Sequence, residues 1–175
     1  MRRIFACVIF LCFSASTNGW GQERNYADPA DVLDTGKSLT SFYKAFLAAD
    51  AMDLLKTNNG DVTLYAPWNK AFDAMPPEIR EKLFKPENKE LLRTVLKHHI
   101  VPHATKLKAL ENETFTTLAG EKLTIRWEGN LKTYVGGARL LSAQDIVKKG
   151  TIIGIGEVLI PESVKKALGL PERTD

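Results

Sequence analysis

The chain of 175 residues has only two cysteines, Cys7 and Cys12, and both lie in its first 20 residues. That stretch has the order of a secretory signal: basic Arg2 and Arg3, an apolar run over 4–13, then Ser14, Ala15, Ser16, Thr17 and Gly19. Removing residues 1–20 would leave a chain without cysteine. A disulfide framework, a thiolate nucleophile and a cysteine-based metal site are then excluded. Long apolar runs are missing as well. The run at 4–13 is shorter than the roughly 20 residues that cross a bilayer, and nothing later approaches that length, so no membrane span is expected after signal cleavage. Charge of one sign is also scarce. Without Arg2 and Arg3 the 24 Lys+Arg become 22 against 21 Asp+Glu, and the net charge falls from +3 to +1. Nucleic-acid affinity comes mainly from phosphate neutralisation, so a nearly neutral chain is a poor candidate for it.

Catalytic patterns are equally thin. No serine has the G-x-S-x-G elbow of a hydrolase. Gly136-Gly137 and the series Gly150, Gly154, Gly156 are not followed by the Lys-Ser/Thr of a phosphate loop, and read as turns and closely packed strands. Asp73, Glu78, Glu81 and Glu87 read as solvated carboxylates rather than an acid/base pair. The one tempting constellation is that all three histidines, His98, His99 and His103, fall within six residues. His99 and His103 would share a face of a continuous helix, but Pro102 between them breaks it. No H-E-x-x-H pattern accompanies them. No catalytic residue, metal site or cofactor is assigned.

What is present is one domain's worth of alternating signals. Residues 21–36 are polar, with Asp28-Pro29 and Thr35-Gly36 as breakers, and read as a linker or loosely docked arm. Ser38 is placed to cap a helix in which Leu39, Phe42, Tyr43, Phe46 and Leu47 recur at helical spacing. Asn58-Asn59-Gly60 ends that segment, and 62–66 reads as a buried strand. Pro77 suits the first turn of a short helix over 78–84. Leu91, Leu92, Val95 and Leu96 form the apolar face of another helix, which Pro102 cannot continue. Short strand-like runs follow at 115–118, 122–127, 131–135, 139–141, 145–147 and 151–161, punctuated by glycines. Helices first and strands later predict an α+β domain, with the helices of the N-terminal half packed on a mostly antiparallel sheet from the C-terminal half.

Four segments in order carry a family resemblance. Thr63-Leu64-Tyr65-Ala66-Pro67-Trp68-Asn69-Lys70-Ala71-Phe72 resembles the first signature of fasciclin domains. Leu83 to Lys89 with Leu91-Leu92, then His98-His99-Ile100-Val101-Pro102, and finally Val158-Leu159-Ile160-Pro161 follow at the expected spacing. The resemblance covers 37–161, leaving 162–175 as a C-terminal tail. It implies a fasciclin-like fold with Thr63, Ala66, Pro67, Asn69, Phe72, His99 and Pro161 as structural positions. It also implies that His99 is a buried imidazole bonded to backbone where helix gives way to strand. The chain departs from the pattern at Trp68, where the family has a small hydroxyl residue that caps a helix; Asn69 is expected to take over that cap. It departs again at His98, where the family has a tyrosine, in a region that some relatives present to integrin-type receptors. Gly154 and Gly156 stand where the family's last signature often has His and Asp. There is no Arg-Gly-Asp. Leu33-Asp34-Thr35 is a chance-level likeness to integrin tripeptides, and Asn112-Glu113-Thr114 is a glycosylation sequon.

Two functions from different classes follow. The first is an exported, non-enzymatic adhesion or matrix-attachment domain, secreted, periplasmic or displayed at the cell surface, a monomer or weak homo-oligomer that binds a protein or polysaccharide. Its expected contact edge is His98, Ile100, His103, Lys106 and Lys108, with Trp68 beside it. The positive bias of that edge, Lys97 included, would favour an acidic partner. The second is a periplasmic protein that binds a small molecule or metal through His98, His99 and His103. The two differ in geometry: the first needs His103 exposed, the second needs it turned toward His99.

Overall fold

The computed structural model describes residues 29–35, 37–56, 62–103, 113–128, 132–141, 145–147 and 150–170. Its elements in chain order are helices α1 (Pro29–Thr35) and α2 (Thr40–Ala48), strand β1 (Val62–Pro67), helices α3 (Asn69–Asp73), α4 (Pro77–Leu83) and α5 (Lys89–His98), strands β2 (Ile100–Val101), β3 (Thr114–Thr116), β4 (Lys122–Trp127), β5 (Thr133–Val135), β6 (Ala138–Arg139), β7 (Asp145–Val147) and β8 (Gly150–Ile155), and helix α6 (Glu162–Leu168). Short 3₁₀ turns lie at Met52–Leu55 and Pro86–Asn88.

Two four-stranded sheets form, in the orders β2-β1-β8-β7 and β3-β4-β5-β6. Every pair is antiparallel except the central one. There β1 runs parallel to β8, with Leu64 opposite Ile152 and Tyr65 opposite Ile153. A parallel pair covered on both faces needs apolar side chains on both. All six residues of β1 and all six of β8 are indeed buried. Alternation along the strands divides them between two cores. Val62, Leu64, Ala66 and Ile152 face a helical layer that contains Phe42, Phe46, Phe72, Leu92, Val95 and Leu96. Tyr65, Val101, Ile153 and Ile155 face the second sheet through Leu123, Ile125, Val135 and Ala138. The molecule is thus layered as helices, first sheet, second sheet.

The first sheet draws β1 and β2 from the helical half, so the division between helical and strand halves is less complete than the sequence order suggests. β2 is only two residues, too short to show a period of its own, and lies where the resemblance implies that helix gives way to strand after His99. The helix over Leu39–Leu47 is present as α2, but Met52–Leu55 is a separate turn. The chain bends between them at Asp50, whose φ is +48°. Arg93 on α5 holds that bend, donating to the Asp50 carbonyl at 2.6 Å and pairing with Asp53. Part of the expected linker is structural: α1 carries Leu33, which has no exposed surface, into the helical core. Likewise α6, in the expected tail, buries Val164.

Candidate functional site

His99 sits at the C-cap of α5, one residue before β2, and is wholly buried. Its Nδ1–H donates to the Val95 carbonyl at 2.8 Å, and its Nε2 accepts the Leu159 N–H at 3.0 Å. Phe42 packs on the ring with centroids 5.3 Å apart. These two bonds fix one neutral tautomer and tie the end of α5 to the segment after β8. Burial lowers its pKa from 6.5 to about 3; the Val95 carbonyl opposes that fall and His98 adds to it. Both ring nitrogens are engaged by backbone, so no lone pair is left for a metal. Among the described residues no group of His, Asp, Glu or Cys is arranged to hold one.

The motif around β1 is structural in a second way. Thr63 has no exposed surface and its hydroxyl donates to the His103 carbonyl at 2.8 Å, pinning the exit of β2. Ala66, Pro67 and Phe72 are buried, and Trp68 is half-buried against the helical core. Trp68 occupies the N-cap position of α3 and makes no side-chain cap bond. Asn69 does cap a helix, but not the one expected. Its Oδ1 accepts the Ser41 N–H at 2.9 Å and the Thr40 hydroxyl at 3.2 Å, at the start of α2. Its Nδ2 donates to the Lys37 carbonyl at 2.9 Å. The α2 N-cap position is Leu39, without a cap of its own, rather than Ser38.

The expected contact edge is largely internal. Ile100 has no exposed surface, because it pairs with Leu64 in the first sheet and packs in the helical core. His98 is 7 % exposed, its Nδ1 lying 3.2 Å from the Thr117 hydroxyl. Burial lowers its pKa, with Glu121 pulling the other way. His103 is exposed and stacks on Phe115, with ring centroids 5.0 Å apart. Lys106, Lys108 and the sequon asparagine Asn112 lie outside the described residues. The histidines therefore do not converge: one binds backbone, one faces Thr117, and one stands at the surface.

A different region is concave. A groove of about 520 Å³ runs between β4 and the segment from Glu157 into α6. It is lined by Lys122, Thr124, Arg126 and Tyr134 on one wall and by Glu157, Glu162 and Lys165 on the other, with His98 and Glu121 also at its lining. Glu121 is held by α6, which starts after Pro161 with no cap of its own. The Glu121 carboxylate accepts the N–H groups of Glu162 at 2.9 Å and Ser163 at 3.2 Å, and the Ser163 hydroxyl at 2.6 Å. Burial pushes its pKa up, but those bonds outweigh it and the net shift is downward. Thr117 completes the link, donating to the Glu121 carbonyl at 3.0 Å while it contacts His98. Lys165 pairs with Glu162. The sequence reading missed this groove. Alternation of Lys122, Thr124 and Arg126 was visible as one strand face, but the approach of α6 to β4 was not.

Known proteins place this architecture. The Fasciclin domain model matches residues 37–161. The chain belongs to the fasciclin family. Among curated relatives, Protein sll1483 of Synechocystis is 32 % identical over 131 residues, 75 % of this chain and 72 % of that protein. Human periostin is 30 % identical over 142 residues, 80 % of this chain but 16 % of that protein. Transforming growth factor-beta-induced protein ig-h3 of Sus scrofa is 31 % identical over 154 residues, 87 % of this chain and 22 % of that protein. This fasciclin chain thus spans a fifth or less of periostin and little more of ig-h3, and most of the cyanobacterial protein. In fold it is similar to a FAS1 domain pair from the insect cell adhesion molecule Fasciclin I, with a TM-score of 0.70 and 17 % identity over 80 % of this chain and 53 % of that one.

Proposed function

We propose that this fasciclin domain is an exported, non-enzymatic attachment module. It holds an extracellular or cell-surface protein or polysaccharide by surface complementarity, as a monomer or weak homo-oligomer. The observation that carries the reading is where the polar side chains are spent. His99, Asn69 and Glu121 are committed to backbone donors and acceptors that hold elements together. Among the described residues no helix is long and apolar enough to cross a membrane, which suits an exported domain. The fold neighbour's role as a cell adhesion molecule supports the same reading. A ligand site of three histidines is disfavoured, since both nitrogens of His99 are occupied and His103 is exposed.

The test is attachment itself. Beads coated with the purified protein are offered cell-surface extract and matrix polymers at low and high salt, and metal content is assayed on the same sample. Saturable capture that weakens with salt is expected. Stoichiometric metal without macromolecular capture would overturn the proposal.

A further inference from the structure

Strand β4 presents two different surfaces. Leu123 and Ile125 are buried in the core between the sheets, while Lys122, Thr124 and Arg126 are exposed on the opposite face. The neighbouring strands extend that face in register. Tyr134 lies opposite Arg126, and Arg139 lies opposite Tyr134. On the other side Thr114 is opposite Thr124, with their hydroxyls 3.2 Å apart, and Thr116 is opposite Lys122. These strand positions carry three cations, three threonines and a tyrosine, with no carboxylate among them. The groove beside β4, at about 520 Å³, falls within the usual range of ligand sites, about 300–1,000 Å³.

Two of the carboxylates at the groove are held within the protein by contacts to α6 or its residues. Glu121 accepts three hydrogen bonds from the start of α6, and Glu162 pairs with Lys165. Arg126 has Glu128 at 3.3 Å, but both side chains are largely exposed, and such pairs exchange readily for a better ligand. The outer face of the strands themselves carries Lys122, Arg126 and Arg139 as its charges, while Glu121, Glu157 and Glu162 keep theirs at the groove's other margin.

Spacing narrows the ligand. Lys122 and Arg126 are four residue steps apart, about 13 Å along β4. Side chains standing upright from the strand hold these two charges apart, which suits separate acidic groups better than a single compact acid. An extended chain with repeated acidic groups supplies them. Threonine hydroxyls, the fork of an arginine and a tyrosine ring suit sugar hydroxyls and ring faces, and β4, which carries Lys122 and Arg126, has both its edges already paired, by β3 and β5. We propose that the outer face of β4 and its groove bind a segment of anionic polysaccharide. Lys122 and Arg126 each take an acidic group, and Tyr134 and Thr124 contact the rings between them. This inference rests on the attachment reading and names its ligand class.

Calorimetric titration of the purified protein tests it with four probes of equal length: an octagalacturonate, a heparin-derived octasaccharide, a neutral dextran octasaccharide and an octaglutamate. At least one anionic saccharide should bind saturably, and more tightly than the neutral saccharide or the peptide. Lys122→Ala with Arg126→Ala should weaken that binding about tenfold or more, as loss of two charge-assisted contacts implies. Lys44→Ala, an exposed change on α2, should leave it unchanged. Glu157→Gln should tighten it, because a carboxylate leaves the groove. Circular dichroism melting of each variant separates lost binding from lost folding. Failure of both anionic saccharides overturns the inference. So does equal binding of the neutral chain or the octaglutamate, or indifference to the double variant. If the bead assay still captures cell-surface material when the saccharides fail, the ligand class falls alone; if it captures none, the attachment reading falls too.

Discussion

His99 shows how one side chain can be structural through its chemistry rather than its bulk. A ring that donates at one nitrogen and accepts at the other bridges two backbone groups that would otherwise be buried unpaired. His99→Ala should cost about 3 kcal/mol, combining lost bonds with a cavity beside Phe42. His103→Ala, at an exposed ring stacked on Phe115, should cost less than about 1 kcal/mol. Urea denaturation ranks them, and the reverse order would mean that the Val95–Leu159 bridge contributes little. The same ring sets an acid limit. The unfolded chain takes up a proton near the ordinary value of 6.5, whereas folded His99 does so only near 3. Unfolding therefore binds a proton between those values. The contribution is fully present above pH 6.5 and is lost as pH falls toward 3, at about 1.4 kcal/mol per pH unit. His98, lowered by burial, and Glu121, lowered by its bonds to α6, act in the same sense. Denaturation midpoints measured from pH 7 to pH 4 should decline steadily, and more shallowly in His99→Gln.

At the scale of elements, two helices are capped by residues far from them in sequence. Asn69 serves α2 and Glu121 serves α6, while the positions before each helix, Leu39 and Pro161, provide no side-chain cap. Asn69→Ala should destabilise the protein by about 1–2 kcal/mol, as loss of a cap does, and amide exchange should quicken at Thr40–Tyr43. If exchange quickened instead at α3, the cap would belong to the helix that Asn69 begins. Glu121→Ala should speed exchange at Ser163–Lys166 while leaving α5 protected. The local period of apolar residues reveals α5, β1 and β4 and the start of α2, because burial of one face is written every 3.6 or 2 residues; it runs α2 on past the bend at Asp50, and α4 is legible from Pro77 instead. The α+β class follows from the order of helical and strand-like segments, whereas the fasciclin-like fold and the role of His99 come from a resemblance spread over 37–161. Cross-element caps left no local signal, so Asn69 was legible as a cap but assigned to its own helix, and Glu121 was not legible as one. The resemblance marks His98 and Ile100 as contacts because some relatives present that region to receptors and lysines flank it, but Ile100 pairs into the first sheet and His98 is covered beside Thr117, so both are buried.

The whole molecule depends on the close approach of β1 and β8, which serves both cores at once. Gly150 allows it. Its φ is +152°, and a Cβ there would lie 2.3 Å from the Val62 carbonyl oxygen. Gly150→Ala should cost about 3–4 kcal/mol, since the strand must shift or its pairing break. Gly120→Ala, strained in φ but facing open space, should cost about 1 kcal/mol. Equal losses, measured by denaturant midpoint, would show that the β1–β8 contact yields easily.

That pairing also has a consequence in time. Residues 62–67 meet 150–155, a separation of half the chain. A ribosome adding about 5–20 residues per second leaves the first strand without its central partner for on the order of ten seconds. During that interval the helices made early have no completed sheet to pack on. The nascent domain therefore stays loose by its own topology until β8 has been made, and its helical layer gains a lasting support only then.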